Sequence, residues 1–308
     1  MKTVLDLVAY VSVRTLFGVL ALLPQGMRVG LFSRLFRLAF VLIPKLRKTS
    51  LANLQIAFPG KSPEWRHSLL RANCDEMGRL LADMVRLPSL DADWAREHVR
   101  CEILPHYVER LVHGRTGVLI ATGHLGSFEL LGHAIGLFGY PLSAVARKFR
   151  SRRLDQWWTS LREARGNTII DRRGAFKAMV ADIQAGRSVA VLFDQNVTRN
   201  HAVFPTWFGV PAATTKALAL AAIKTQAPLF VASMRYRGGD AYSIEAVECE
   251  TGDVYGDDSA SLDEKVLRLT QRLSDHYCRM IEGFPEGWFW LHRRWKTRPS
   301  EGDKSIYS

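Results

Sequence analysis

The sequence predicts an α/β protein: a mixed, largely parallel sheet covered by helices, behind an N-terminal hydrophobic and amphipathic helical membrane anchor. Three observations lead there. From residue 117 onward, short apolar runs alternate with helical stretches, the pattern of a covered parallel sheet. The last two runs are joined by Arg237-Gly238-Gly239-Asp240-Ala241, which makes them a hairpin and the sheet mixed. The first fifty residues combine an apolar run with an excess of basic side chains.

The N-terminal segment comes first. Val4–Leu23 contains twelve Val, Leu or Phe residues, and Pro24, Gln25 and Gly26 end the run. On the insertion scale those twelve contribute about −5 kcal/mol, and a central Arg14 returns about +3. Insertion is marginal, so the segment either spans the bilayer or lies in its interface. Leu31–Ile43 is too short to span. Its Gly30, Ser33, Arg34 and Arg37 face opposes Leu31, Phe32, Leu35, Phe36, Leu38 and Phe40, the pattern of an interfacial amphipathic helix. Residues 1–50 carry eight Lys or Arg against Asp6, a net +7 of the chain's +12. Basic residues after the apolar run place the rest of the chain on the cytoplasmic side. Residues 1–48 are therefore read as anchor and interfacial helix, and 49–308 as one main domain.

Within that domain, 62–86 reads as a helix, with Pro63 in its first turn and Leu69, Leu70, Met77, Leu80, Leu81 and Met84 on one face. Strands are expected at 117–121, 142–146, 167–170, 188–193, 229–236 and 242–249. Helices are expected at 127–137, 151–164, 174–185, 212–226 and 261–282. The aromatic and basic stretch Pro285–Trp295 fits either a bilayer interface or packing on the sheet. Four scattered cysteines with no C-x-x-C pair argue for reduced thiols and against a metal or disulfide scaffold. A basic chain without helix-turn-helix, RNP or zinc-finger patterns favours a membrane over nucleic acid.

Ligands of open α/β sheets bind beyond the carboxyl ends of the strands. Thr122-Gly123-His124, Arg147, Asp171-Arg172 and Asp194-Gln195 fall there. The first is the sharpest: two glycines allow a tight turn around His124, and a helix follows with Ser127 as its expected N-cap. Glu129, in the first helical turn, is the expected partner that fixes the imidazole tautomer and stabilises the imidazolium. Free amides at the helix start are expected to stabilise an oxyanion. No G-x-S-x-G elbow, P-loop, dinucleotide fingerprint or metal-ligand spacing competes. Without a nucleophile, the simplest chemistry is direct general-base transfer of an acyl group to a hydroxyl.

GHLGSFE at 123–129 resembles the first block of the lysophospholipid acyltransferase superfamily. With Trp290-Leu291-His292-Arg293-Arg294-Trp295 and Lys296-Thr297-Arg298-Pro299, it resembles the lipid A biosynthesis late (lauroyl/myristoyl-type) acyltransferases. Val145–Lys148, Ile170–Arg173, Phe193–Asn196 and Trp207–Thr215 support it in order along the chain. The resemblance implies an O-acyltransferase at the cell inner membrane. It would use no metal or bound cofactor, with acyl carrier protein or coenzyme A thioester as co-substrate and a membrane glycolipid as acceptor. His124 would be the base and Glu129 its partner. Arg147 and Arg172 would face phosphates or the carbonyl, and Asp194 would position the acceptor or a basic residue. Arg293 and Arg294 are further phosphate ligands on this reading. A lysophospholipid, aminolipid or other glycolipid acceptor is the alternative, and an inactive membrane lipid-binding protein the second.

Overall fold

The computed structural model describes residues 2–300 and 302–307. Met1, Glu301 and Ser308 lie outside the described residues, as do the side chains of residues 2–5. The outer limits of 1–48 and 49–308, and the first side chains of the anchor segment, fall there.

Four helices come first: α1 (Lys2–Ala21), α2 (Gln25–Leu42), α3 (Pro44–Ala57) and α4 (Pro63–Arg86). No helix among the described residues is long and apolar enough to cross a membrane. The turn at Pro24 and the bend at Pro44 follow from a residue that cannot donate to a continuing helix. α4 starts where Ser62 accepts the Trp65 N–H (3.2 Å) and Pro63 occupies the first turn. The expected polar face of α2 does not face water throughout. Ser33 is buried, and Gly78 of α4 lies so close that a Cβ there would meet the Ser33 hydroxyl and backbone. Small residues in this stripe serve helix–helix contact, while Arg37 reaches Asp75 at the surface.

Next come α5 (Ala92–His98), β1 (Val99–Arg100) and α6 (Leu104–His113), a region with no assignment from the sequence pattern. The alternating body follows as β2 (Leu119–Thr122), α7 (Phe128–Leu137), β3 (Leu142–Ala146), α8 (Arg152–Glu163), β4 (Thr168–Asp171), α9 (Ala175–Gln184) and β5 (Ser188–Leu192). Then come α10 (Ala217–Thr225), β6 (Leu229–Gly238), β7 (Ala241–Cys249), α11 (Gly252–Tyr255) and α12 (Leu262–Gly283). α10 begins later than the expected residue 212, because Val210–Pro211 and Thr214–Thr215 form short ladders with Thr206–Trp207 and Ala202–Val203. α12 opens with a complete Ser261–Glu264 capping box, which satisfies orphan amides reciprocally.

The seven-stranded sheet runs β1-β7-β6-β2-β5-β3-β4. Only β6 and β7 pair antiparallel, as the expected hairpin. β5 returns between β2 and β3, so the carboxyl ends of β2 and β5 lie side by side, with Thr122 opposite Leu192. One core packs Ala121, Val189 and Val231 against α9, α10 and α12. The other packs Ile120, Ala190 and Phe230 against α6 and α7. The C-terminal aromatic stretch packs inside, with Trp288, Trp290 and Trp295 buried. Asn73 of α4 donates to the Glu286 and Trp288 carbonyls, and Asn53 of α3 to those of Trp290 and His292.

Candidate active site

Immediately beyond β2 the chain turns at Gly123-His124-Leu125-Gly126. A Cβ at Gly123 would run into Asp194 and Tyr277, and Gly126 has φ +64° with the Met234 carbonyl against its Cα. Only glycine fits both positions. The turn is pinned from outside: Phe289 N–H donates to the His124 carbonyl (3.0 Å) and Gly126 N–H to the Gly287 carbonyl (3.0 Å). His124 is therefore held by the backbone on both sides.

Its carboxylate is Asp194, at the end of the adjacent strand β5. Asp194 Oδ1 lies 2.8 Å from His124 Nδ1, and Oδ2 accepts the His124 N–H (2.8 Å) and the Trp288 indole N–H (2.9 Å). Burial pushes the Asp194 pKa up, yet the imidazole and these hydrogen bonds outweigh it and hold the carboxyl below its ordinary range. An ionised Asp194 accepts a hydrogen bond from Nδ1–H, which leaves Nε2 as the unprotonated nitrogen. Gln195 Nε2 sits 3.2 Å from His124 Nε2, a hydrogen bond donated by the amide.

Glu129 does not reach the imidazole. The first turn of α7 points its carboxylate toward α8, where Arg162 Nε donates to it (3.0 Å) and a second guanidinium N–H completes the pair. Nor are the first two amides at the helix start free. Ser127 N–H is taken by the Met234 carbonyl and Phe128 N–H by that of Gly126. Ser127 Oγ donates to Asp83 Oδ2 instead of capping α7.

His124 opens onto a cavity of about 1040 Å³. Alternate residues of β2 (Ile120, Thr122 and then His124) line it, so these side chains share one face. Its inner arm runs between the sheet and α6–α7, walled by Tyr107, Leu131, Ile135, Phe230 and Ala232. Its mouth carries Arg147 and Arg172, both exposed, at the ends of neighbouring strands β3 and β4. Glu129 and Arg162 form part of the wall. Thr122 carries no sequence signal that separates it from any other strand threonine. It is 4% exposed, and its hydroxyl has no hydrogen-bond partner among the described residues.

Arg293 and Arg294 separate in the structure. Arg294 is fully buried, donating to the Ala213 carbonyl (2.7 Å) and Thr214 Oγ1 (2.5 Å) with its Cζ 4.2 Å from the Trp207 ring centroid. Burial lowers its pKa to about 10. It braces the loop and does not face a ligand, which corrects the expectation of a phosphate ligand. Arg293 is half-buried beside the Tyr307 ring, away from the main cavity.

The family model for bacterial lipid A biosynthesis acyltransferases matches residues 4–297. The chain belongs to that family. It is 25% identical over 285 residues to the lipid A biosynthesis palmitoleoyltransferase of Escherichia coli K12, covering 92% of this chain and 87% of that one. It is 24% identical over 259 residues to the phosphatidylinositol mannoside acyltransferase of Mycolicibacterium smegmatis, covering 82% and 79%. The crystal structure of the 1-acyl-sn-glycerophosphate acyltransferase of Thermotoga maritima aligns with 82% of this chain and 98% of its own, with 14% identity and a TM-score of 0.35. This lipid A family member is an acyltransferase.

Proposed function

We propose that the protein moves a fatty acyl chain from an acyl carrier protein thioester to a hydroxyl of a lipid A precursor. The observation that carries this reading is the Asp194–His124 pair opening on a cavity with a cationic mouth and an apolar arm. The acyl chain lies in the arm and the anionic headgroup at Arg147 and Arg172. The acceptor hydroxyl displaces the Gln195 amide from His124 Nε2 and gives up its proton there as its oxygen attacks the thioester carbonyl. The carbonyl π electrons move onto oxygen, where the Thr122 hydroxyl donates to the forming oxyanion. Collapse breaks the C–S bond, the sulfur takes the proton from the imidazolium, and ester and free thiol leave. Asp194 keeps its own charge throughout and stabilises the imidazolium. Glu129 acts as a positioning residue by holding Arg162 in the cavity wall.

The same reading seats the protein on the cytoplasmic face of the inner membrane. Val8, Leu16 and Val19 of α1 and Leu31, Leu35, Leu38, Val41 and Leu42 of α2 are exposed apolar residues. Apolar surface of this extent marks an interaction site, and the excess of Lys and Arg in residues 1–50 suits anionic lipid.

The test is acyl transfer by purified full-length protein from acyl carrier protein thioesters to a lipid A precursor, with mass spectrometry of the product. Wild type is expected to add one acyl chain. His124→Ala is expected to lower the rate by about 10²–10⁴-fold at an unchanged melting temperature. Transfer that survives this substitution, or a deletion strain with unaltered lipid A, overturns the reading.

A further inference from the structure

A second recess opens on the far side of the imidazole. It has a volume of about 620 Å³ and is walled by Phe36, Ala39 and Phe40 of α2, Leu46 of α3, and Phe289 and Leu291 of the C-terminal segment. Phe289 is the partition, its ring centroid 6.0 Å from that of His124. His292 also links the two sides: it faces this recess while its Nε2 accepts the N–H of Asn196, which lines the main cavity (2.8 Å). The groove thus lies behind a ring that touches the imidazole, and its lining residues are not those of the acyl arm.

Its chemistry is amphiphilic. The walls are aromatic and aliphatic, and Arg293 and Lys296 close the rim. Arg293 leans on the Tyr307 ring, and neither cation has an acidic partner among the described residues. Leu35, Leu38, Val41 and Leu42 of the same helix are exposed apolar residues. A ligand with an apolar tail and an anionic head satisfies both the floor and the rim.

We propose that this groove holds one fatty chain of the acceptor lipid, with a second anionic group of that lipid, apart from the one at Arg147 and Arg172, held by Arg293 and Lys296. The inference rests on the lipid-acceptor reading above and adds where that acceptor is gripped. Transfer brings an acyl donor and a chain-bearing acceptor to one imidazole. Separate recesses on either side of His124 let the donor chain and the acceptor chain be bound together. The acceptor hydroxyl is then delivered to Nε2 from a fixed direction.

The experiment uses the full chain, an acylated lipid A precursor, and dodecyl phosphate carrying a terminal diazirine. Photolysis of wild type is expected to label peptides that contain residues 36–40 or 289–291. Ala39→Trp fills the groove and is expected to reduce labelling and raise KM for the acylated precursor about tenfold, with KM for the acyl thioester within twofold. The double variant Arg293→Ala/Lys296→Ala provides a surface change that spares the packed walls. It should weaken labelling by the phosphate probe and leave labelling by uncharged dodecanol diazirine intact. Labels confined to the main cavity, or labelling and KM indifferent to Ala39→Trp, overturn the proposal. Groove labelling in a protein that acylates no lipid overturns the transferase reading and leaves the groove standing as a lipid site.

Discussion

Two carboxylates hold basic side chains that line one cavity, and they do different work. Asp194 is buried, spends both oxygens on three hydrogen bonds, and holds the imidazole of His124. Glu129 is partly exposed and binds Arg162, a permanent cation. A buried carboxylate beside an imidazole fixes which nitrogen carries the proton. A half-buried carboxylate beside a guanidinium fixes only where a positive charge sits. The difference predicts unequal losses when each loses its charge.

Asp194→Asn is expected to have the largest effect of these changes. The oxygen of the new amide would stay with the His124 N–H and Trp288, which turns its NH₂ toward Nδ1. Nδ1 then becomes an acceptor, and the proton moves to Nε2, the nitrogen that must be free. Transfer should fall on the order of 10²–10⁴-fold, mainly in kcat. Steady-state kinetics and the ¹⁵N shifts of His124 check this together. A full-rate variant would show that the imidazole tautomer is irrelevant.

Glu129→Gln should fall in between. It loses the ion pair but keeps one hydrogen bond to Arg162, so a tenfold loss appearing mostly in KM is expected, with a stability loss of about 1–2 kcal/mol. Thermal unfolding and acceptor titrations read both numbers. A loss as large as that of Asp194→Asn, carried in kcat with no change in KM, would mean that Glu129 reaches the reacting atoms after all.

The two pairs also show what the sequence reveals and what it does not. His124 is legible because a buried strand, two glycines and a helix start are consecutive. Strand positions are legible too: apolar runs mark β2 through β7 to within a few residues, and the Gly238-Gly239 turn gives away the one antiparallel pair of the seven-stranded sheet. Proximity along the chain points to Glu129 as the partner, whereas the helix carries it toward α8. Asp194 is seventy residues distant and becomes a neighbour only because β5 inserts beside β2, and strand order is a tertiary fact. Arg294 reads as a ligand for the opposite reason: a charged residue in an aromatic run gives no sign that Thr214 and a carbonyl will enclose it. In the α5–β1–α6 region, the seven-residue α5 and the two-residue β1 are too brief for a period to show, whereas α6 is as long as α7 and α9 and is open to the same reading.

Thr122→Val is expected to have the smallest catalytic effect, and it makes the sharpest contrast with Asp194. Valine has the shape of threonine without the hydroxyl, so the change asks what an unpartnered buried O–H is for. If the hydroxyl only fills space, its removal relieves an unsatisfied polar group and leaves the rate alone. If it donates to the oxyanion, kcat falls about 2–10-fold while KM for both substrates holds, and the melting temperature stays level or rises. Thr122→Ser, which restores the donor, should recover most of the rate. Asp194→Asn gives no such split, because its carboxylate already has partners in the resting protein. A Thr122→Val enzyme with unchanged kcat would remove Thr122 from the chemistry and leave the Gln195 amide as the nearest remaining donor.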